Sequence, residues 1–168
     1  MSAATITSFP PIATAQATRL ILGSMPGTAS LAAGEYYAHR HNAFWRIMAG
    51  VNGFAPDAAY TLRVDALQRA SIAVWDVLQS CERRGSLDAA IVRASEVVND
   101  FATFFAAHPA IRQVFFNGAA AEQSFKRHCA SLLREPGRSF TRLPSTSPAH
   151  ASLCFAQKCA AWTAALRA

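Results

Sequence analysis

The chain has 168 residues, of which 52% are hydrophobic and 15% charged, and its formal net charge is +6. This length suits one domain, and this composition excludes a disordered chain. No apolar run approaches the ~20 residues that cross a bilayer, and the N-terminus lacks the basic and apolar regions of a secretory signal. We therefore expect a globular cytoplasmic protein with no membrane partner, and we expect it to be a monomer.

The positive charge is concentrated in the last third of the sequence. Residues 1–100 contain eight Lys or Arg and eight Asp or Glu, whereas residues 101–168 contain eight Lys or Arg and only two Glu. A one-sided basic surface is typical of proteins that bind polyanions. It is equally compatible with a basic surface that only keeps the protein soluble, so charge alone leaves both interpretations open.

Buried strands alternate with helices along the chain. Short apolar runs bounded by turn residues predict strands at 19–24, 71–78, 111–118 and 139–143. Helical spacing and capping residues predict helices at 43–51, 99–109, 119–133 and 148–168. This alternation predicts an α/β fold, a three-layer α/β/α sandwich around a central four-stranded, mostly parallel sheet. We assign residues 19–168 to this single domain and residues 1–18 to a flexible N-terminal arm.

The loops that follow the predicted strands should converge on one site. They begin near Gly23, Asp76, Gly118 and Leu143, and ligands of parallel sheets bind beyond the carboxyl ends of the strands. The first of these loops is GSMPG, at Gly23–Gly27, a turn whose backbone N–H groups can hold an anion or a carbonyl oxygen. A purely structural turn is the alternative.

The stretch EYYAHRHNAFW, at residues 35–45, places aromatic rings and polar edges before a predicted helix. Two adjacent tyrosines, the second of which is Tyr37, offer faces on which a base can stack. His39, His41 and Asn42 offer hydrogen-bonding edges, although Asn42 could instead serve only as the N-cap of the helix. The two histidines have no acidic or cysteine partner at metal-binding spacing.

The stretch LPSTSPAHA, at residues 143–151, forms the last candidate loop. Ser147 followed by Pro148 is typical of a helix start, so Ser145, Thr146 and Ser147 are predicted at a helix N-terminus. Hydroxyl groups in that position favour a phosphate. Ordinary capping is the alternative, and the two roles are compatible.

Residues 23–45 form one ungapped block, G-x-x-P-G followed by Tyr-Ala-His and Asn-x-Phe-Trp. This block resembles the first motif of the uracil-DNA glycosylase superfamily, and LPSTSPAHA resembles its second motif, a Pro-Ser loop near the C-terminus. The resemblance spans about residues 18–165. Relatives in the mismatch-specific branch carry a catalytic Asn where this chain has Met25. The hypoxanthine-DNA (deoxyinosine) glycosylase branch shares that loss, and its catalytic Asn matches Asn42.

The resemblance implies DNA base-excision repair, in which the N-glycosidic bond of a deaminated base flipped out of double- or single-stranded DNA is hydrolysed. Hypoxanthine is the expected base, and an abasic site is the expected product. Asn42 would be catalytic, because its amide can orient a water molecule below C1′. The resemblance assigns the base pocket to Gly23, Ser24, Met25, Tyr37, His39, Trp75 and Asp76. DNA binding is expected of the loop that contains Pro144, Ser145, Thr146, Ser147 and His150. Basic residues of the last third should assist this loop, and they are Lys126, Arg127, Arg138 and Arg142.

Other interpretations remain open at this point. The chain could act on uracil or on G·U and G·T mismatches, or it could be a catalytically silent DNA-binding homologue. Asp76 could pair with Arg83 instead of facing a base, and His39 could pack against a backbone carbonyl. The four cysteines match no zinc or iron–sulfur spacing, so we expect reduced thiols, no metal and no cofactor.

Overall fold

The computed structural model describes residues 3–168, so residues 1 and 2 of the predicted arm lie outside the described part. The strands are β1 (Thr5–Thr7), β2 (Arg19–Gly23), β3 (Ile72–Asp76), β4 (Leu78–Arg83), β5 (Ile91–Val98), β6 (Gln113–Asn117) and β7 (Ser139–Leu143). The α-helices are α1 (Thr28–Ala33), α2 (Phe44–Asn52), α3 (Tyr60–Arg69), α4 (Phe101–Ala107), α5 (Ala119–His128) and α6 (Phe155–Arg167). None of these helices is long and apolar enough to cross a membrane.

The central sheet is parallel and has the order β3-β2-β6-β7. Because side chains of a strand alternate between faces, Leu20 and Leu22 enter one core while Ile21 enters the other. Helices α4 and α5 contribute to the first core, and α2 and α6 contribute to the second. The predicted three-layer sandwich around a four-stranded sheet is therefore confirmed.

A second sheet, antiparallel and of order β1-β4-β5, was not predicted from the sequence. Residues 81–91, for which no strand was predicted, include the end of β4 and the tip of a hairpin that leads into β5. Most side chains of β5 are exposed or only half-buried, so its sequence lacks the apolar alternation that signals a strand.

The described part of the N-terminal segment is tied to both sheets rather than loose. Thr5 pairs with Glu82 in the β1–β4 ladder, and Ile12 forms an isolated bridge with Val74. Ile12 is also buried in the second core. The expectation of a flexible arm was wrong for these residues, because the edge of β4 and the apolar contact of Ile12 supply partners that the sequence did not reveal.

The closing helix α6 begins at Phe155, and the predicted start at Pro148 was wrong. The Ser147 hydroxyl accepts a hydrogen bond from the Ala149 N–H. Residues 147–149 therefore form a local turn and do not begin a helix. Cys154 is the N-cap residue of α6. The serine hydroxyls of the Pro-Ser loop therefore do not lie at a helix N-terminus.

Candidate active site

A cavity of about 320 Å³ lies at the carboxyl ends of the central strands. Its volume is in the lower part of the range for small-molecule sites. Met25, Asp76, Asn117 and Ser145 line it from the ends of the central strands and the loops after them, and Asn42 lines it from the segment before α2. The described residues include no group of three His, Cys, Asp or Glu side chains that could hold a metal ion.

Gly23 lies where two polar side chains approach the backbone of the first loop. It is paired with Asp76 in the parallel ladder between β2 and β3. A Cβ atom at Gly23 would stand 2.5 Å from Asp76 Oδ1 and 3.1 Å from the hydroxyl oxygen of Tyr37. The missing side chain thus makes room for the carboxyl and the phenol at the inner wall of the cavity.

Asp76 is buried, and its Oδ2 atom has no hydrogen-bond partner among the described residues. Burial, together with the charge of Asp88, raises the pKa of Asp76 to about 7, and Arg83 opposes this rise. No ion pair joins Asp76 to Arg83, both of which are described, so the pairing considered from the sequence is not formed. Arg83 donates instead to the carbonyl oxygens of Pro26 and Gly85.

Tyr37 presents its ring to the cavity from a left-handed backbone conformation, with φ of 54°. One face of the ring stacks on Phe44 with centroids 4.0 Å apart. Its hydroxyl is buried without a hydrogen-bond partner in the described structure, and burial raises its pKa. Its polar neighbours are Asp76 and Asn117, so the inner wall combines an aromatic surface with unpaired polar atoms.

Asn42 is half-buried and lines the same cavity as Ser24 and Tyr37. Its Oδ1 atom accepts a hydrogen bond of 3.0 Å from the backbone N–H of Phe44, the first residue of α2. Ala43, and not Asn42, is the N-cap residue of α2, so the N-cap interpretation of Asn42 was wrong. The Asn42 amide nevertheless satisfies the N–H group of the first residue of the helix, and Asn42 is part of the cavity wall.

Thr146 fixes the Pro-Ser loop to two other parts of the site. Its backbone N–H donates to Asn117 Oδ1, and Asn117 Nδ2 donates to the Thr146 hydroxyl, both at 2.9 Å. Its carbonyl oxygen accepts from the Ala43 N–H at 2.9 Å. Lys158 is buried beneath the same loop and donates to the carbonyl of Ser147. These contacts hold the loop beside Asn42.

Trp75 is not part of the cavity, so its assignment to the base pocket was wrong. Its ring packs against Phe101 and Phe104 of α4, with centroids 5.1 Å and 4.8 Å away. Its Nε1 donates to the carbonyl of Phe9. Trp75 and Asp76 are consecutive in β3 and must point to opposite faces, so only one of them can face the cavity.

Ser145, Thr146 and Ser147 line the cavity, whereas Pro144 and His150 lie at the ends of their loop and do not. The carbonyl of Pro144 accepts from Trp162 Nε1, and His150 is paired with the hydroxyl of Ser152. His39 and Met25 line the cavity, and His39 is exposed there.

The basic residues expected to bind DNA make ion pairs away from the cavity lining. Lys126 and Arg127 lie in the last turn of α5, roughly 10 Å along the helix from its start. Lys126 and Arg142 both pair with Glu122, and Arg127 pairs with Glu96. Arg138 pairs with Glu135 and lies over the ring of Phe105. Their positive charge is therefore partly neutralised.

Sequence reasoning missed the contribution of the β4–β5 hairpin and of Asn117. Ser86, Leu87 and Asp88 at the hairpin tip line the cavity. No pattern pointed to them, because the two strands that hold the tip were not predicted. Asn117 could have been found, since it is the residue before the end of the predicted strand 111–118, whose carboxyl end was expected to face the site.

A cavity lined by both apolar and polar side chains, at the carboxyl edge of a parallel sheet, is typical of an α/β protein with a ligand site in its loops. The chain matches the family described as "Uracil DNA glycosylase superfamily" over residues 10–168. It therefore belongs to that superfamily.

Two proteins named "Hypoxanthine DNA glycosylase" are similar to the chain. The one from Methanosarcina barkeri is 36% identical over 111 residues, which are 66% of this chain and 69% of that protein. The one from Methanosarcina acetivorans is 34% identical over 143 residues, which are 84% and 86% of the two. The solution NMR structure of "a putative Uracil DNA glycosylase" from Methanosarcina acetivorans has a TM-score of 0.81 at 30% identity and covers 98% of both chains. The resemblance to the superfamily and to its hypoxanthine branch is confirmed.

Proposed function

We propose that the chain is a DNA glycosylase that hydrolyses the N-glycosidic bond of deoxyinosine, releases hypoxanthine and leaves an abasic site. One observation carries the proposal: Asn42, Tyr37 and Asp76 line a single cavity, which the first loop also lines. An amide can position a water molecule, an aromatic face can stack on a base, and a carboxyl can hydrogen-bond to the edge of that base. The names of the two similar proteins support the choice of base.

Asn42 positions the attacking water. As the bond to the base lengthens, the sugar acquires oxocarbenium character and the base leaves with the bonding electron pair. The water oxygen then bonds to C1′ and its proton is lost to solvent or to the departing base. A strong base is not needed for this step, because bond breaking precedes attack. The remaining lone pair of Asn42 Oδ1 can accept a hydrogen bond from that water while the Phe44 N–H holds the amide in place.

Tyr37 and Asp76 bind the base. The Tyr37 ring, supported from behind by Phe44, offers its other face for stacking. The lactam edge of hypoxanthine presents an acceptor oxygen and an N–H donor, and the unpartnered carboxyl of Asp76 can satisfy either. A pKa of about 7 leaves both protonation states of Asp76 accessible at neutral pH.

The Pro-Ser loop holds the DNA backbone at the mouth of the cavity. Ser145 and Ser147 line the cavity, and Thr146 fixes the loop between β6 and the start of α2. The hydroxyls and backbone N–H groups of such a loop can bind a phosphate without the help of a helix dipole.

The function is tested with duplexes that each contain one deoxyinosine, deoxyuridine, deoxyxanthosine or G·T mismatch. Incubation with the protein followed by alkali reveals abasic sites as strand breaks. We expect breaks in the deoxyinosine duplex. Breaks in the deoxyuridine or mismatch duplex alone would assign the chain to pyrimidine excision, and DNA binding with no breaks would show a silent homologue.

A further inference from the structure

The wall of the cavity carries acidic groups and lacks lysine and arginine. Asp76 and Asp88 line the cavity, and none of its lining residues in the described part of the chain is Lys or Arg. His39 also lines it and is exposed there. This lining contrasts with the formal net charge of +6 of the chain, in which basic residues outnumber acidic ones. The cavity therefore presents a negative wall to a molecule that enters it.

Asp76 supplies an unused hydrogen-bond acceptor at the inner wall. It is 3% exposed, and its Oδ2 atom has no hydrogen-bond partner within residues 3–168. The buried hydroxyl of Tyr37 is also unpaired within that range. A buried polar group without a partner costs free energy, and a ligand that pairs with it removes that cost. The inner wall therefore favours a ligand with N–H donors or with positive charge.

Asp88 adds to the negative potential at Asp76, and Arg83 does not cancel it. Burial is the main reason that the pKa of Asp76 is raised to about 7, the charge of Asp88 raises it further, and the charge of Arg83 lowers it by a smaller amount. The Arg83 guanidinium donates to two backbone carbonyl oxygens, and Arg83 does not line the cavity. Asp88 is held in the cavity wall by a hydrogen bond that it accepts from the hydroxyl of Ser24.

The ring of Tyr37 favours the same kind of ligand. One face of the ring stacks on Phe44 with the centroids 4.0 Å apart, so the other face is left for a ligand. The face of an aromatic ring attracts cations as well as flat rings. A planar ring with a positive charge would thus meet an aromatic face and two carboxyl groups in one cavity.

We propose that the chain also releases cationic purines from DNA, namely bases alkylated at N7 or N3, such as N7-methylguanine and N3-methyladenine. The inference rests on the proposed function, and it extends the substrate class from deaminated to alkylated bases. Alkylation at either nitrogen places a positive charge on the purine ring of the nucleotide. The acidic wall attracts that charge, and it therefore favours the flipped-out state of such a base over that of an uncharged one.

Release of a cationic purine needs no proton donor. The bond between C1′ and N9 breaks, its electron pair moves to N9 and cancels the ring charge, and the base leaves neutral. A water oxygen then bonds to C1′ and loses a proton to solvent. Because the positive charge passes from the base to the sugar, the carboxyl groups attract it before and during the step. We therefore expect them to act mainly on binding of the base.

The test uses two duplexes of the same sequence, with N7-methylguanine or hypoxanthine at one position. Release of the free base is measured by chromatography at pH 8, above the pKa of about 7 of Asp76, so that its carboxyl is ionised. A sample without protein corrects for spontaneous loss of the base. The protein concentration is kept below saturation, so that the rate includes binding. We expect release of N7-methylguanine at least about tenfold above the spontaneous rate.

Asp76→Asn and Asp88→Asn each remove one charge and keep the shape of the side chain. We expect the rate for N7-methylguanine relative to that for hypoxanthine to fall about tenfold in Asp76→Asn, and by less in Asp88→Asn because Asp88 is exposed. Asp57→Asn is the control, because Asp57 is exposed and lies outside the cavity lining, and it should keep the wild-type ratio. Thermal unfolding checks that all three variants are folded.

Binding is measured separately in duplexes whose target nucleotide carries a 2′-fluorine, which prevents cleavage. We expect the wild type to bind the duplex with N7-methylguanine about fivefold or more tightly than the same duplex with guanine.

The outcomes separate this inference from the proposed function. Release of hypoxanthine, with neither release nor tighter binding of N7-methylguanine, would overturn the inference and leave the proposed function intact. Release of N7-methylguanine alone would retain the inference and overturn the choice of hypoxanthine. An unchanged ratio in both carboxyl variants would show that the acidic wall does not select the charge, which also overturns the inference. Release of neither base would overturn both.

Discussion

Asp76 is the residue whose properties depend most on the cavity around it. Its carboxyl is buried beside Gly23 and the Tyr37 hydroxyl, and one of its oxygens has no partner among the described residues. A buried carboxyl without a partner favours its neutral form. A measured pKa of Asp76 would therefore show whether its carboxyl is buried and lacks hydrogen-bond partners at the inner wall of the cavity.

The stability of the chain should depend on the protonation of Asp76. Its pKa is about 7 in the folded chain, whereas an unfolded Asp has a pKa of ~3.9, so the folded state binds the proton more tightly. The stabilisation is complete below the unfolded pKa and is lost as the pH rises through about 7. We expect Asp76→Asn, which stays neutral, to lose less stability than the wild type between about pH 5 and pH 8, by on the order of a few kcal/mol.

Thermal or urea unfolding at several pH values measures this difference. Asp57→Asn is the matched control, because Asp57 is exposed and lies outside the cavity lining. Parallel stability profiles for wild type and Asp76→Asn would show that the carboxyl is not desolvated in the folded chain.

Among the elements, the position of the Pro-Ser loop depends on the side chain of Asn117, which forms two hydrogen bonds to Thr146. Asn117 satisfies both the N–H and the hydroxyl of Thr146, which is buried. Asn117→Ala leaves these two groups without partners, so we expect a loss of about 1–3 kcal/mol in the free energy of unfolding. Urea unfolding measures the loss, and hydrogen exchange at the Thr146 amide shows whether the loop itself loosens.

Asn52→Ala is the control for Asn117→Ala, because within residues 3–168 the Asn52 side chain hydrogen-bonds to its own helix alone, at the carbonyl of Met48. If Asn117→Ala unfolds like the wild type and the Thr146 amide stays protected, the loop must be held by other contacts.

The elements that the sequence predicted are those with a clear burial pattern. β2 is a continuous apolar run because helices cover both of its faces, and this pattern is legible without a structure. β5 is largely exposed and gave no pattern. The start of α6 was misplaced because the Ser147 hydroxyl accepts from an N–H group of its own loop and not from the first turn of a helix. Strand β5 forms because it pairs with β4, and the turn at Ser147 forms because its hydroxyl bonds to the Ala149 N–H. The pattern of apolar residues along the sequence shows neither contact.

The same limits apply to the candidate site. The ends of parallel strands predicted where the site lies, and the resemblance named Asn42 and Tyr37, both of which line the cavity. Which of Trp75 and Asp76 faces the cavity depends on the phase of β3, and the sequence of a strand buried on both faces does not reveal it. Leu87 lines the cavity from the tip of the β4–β5 hairpin, and neither strand of this hairpin was predicted from the sequence.

In the whole molecule, the excess of basic residues in the last third of the sequence is partly balanced by acidic residues from other parts of the chain. Glu96, from the first hundred residues, pairs with Arg127 and His128 of the last third. Glu122 pairs with both Lys126 and Arg142. Contacts between distant segments thus place acidic groups among the basic ones. We therefore expect the loops around the cavity to contribute more to DNA binding than the net charge suggested.

The whole fold brings Asn42 to a cavity at the ends of the central strands, and the proposed function depends on the amide of this residue. The direct test is the single-turnover rate at which Asn42→Ala releases hypoxanthine from a deoxyinosine duplex, with Asn52→Ala as the matched control. We expect a rate about 100-fold lower for Asn42→Ala, because the water is no longer positioned, and a wild-type rate for the control. Thermal unfolding of both proteins confirms that they are folded. A folded Asn42→Ala protein that releases hypoxanthine at the wild-type rate would show that Asn42 does not position the water.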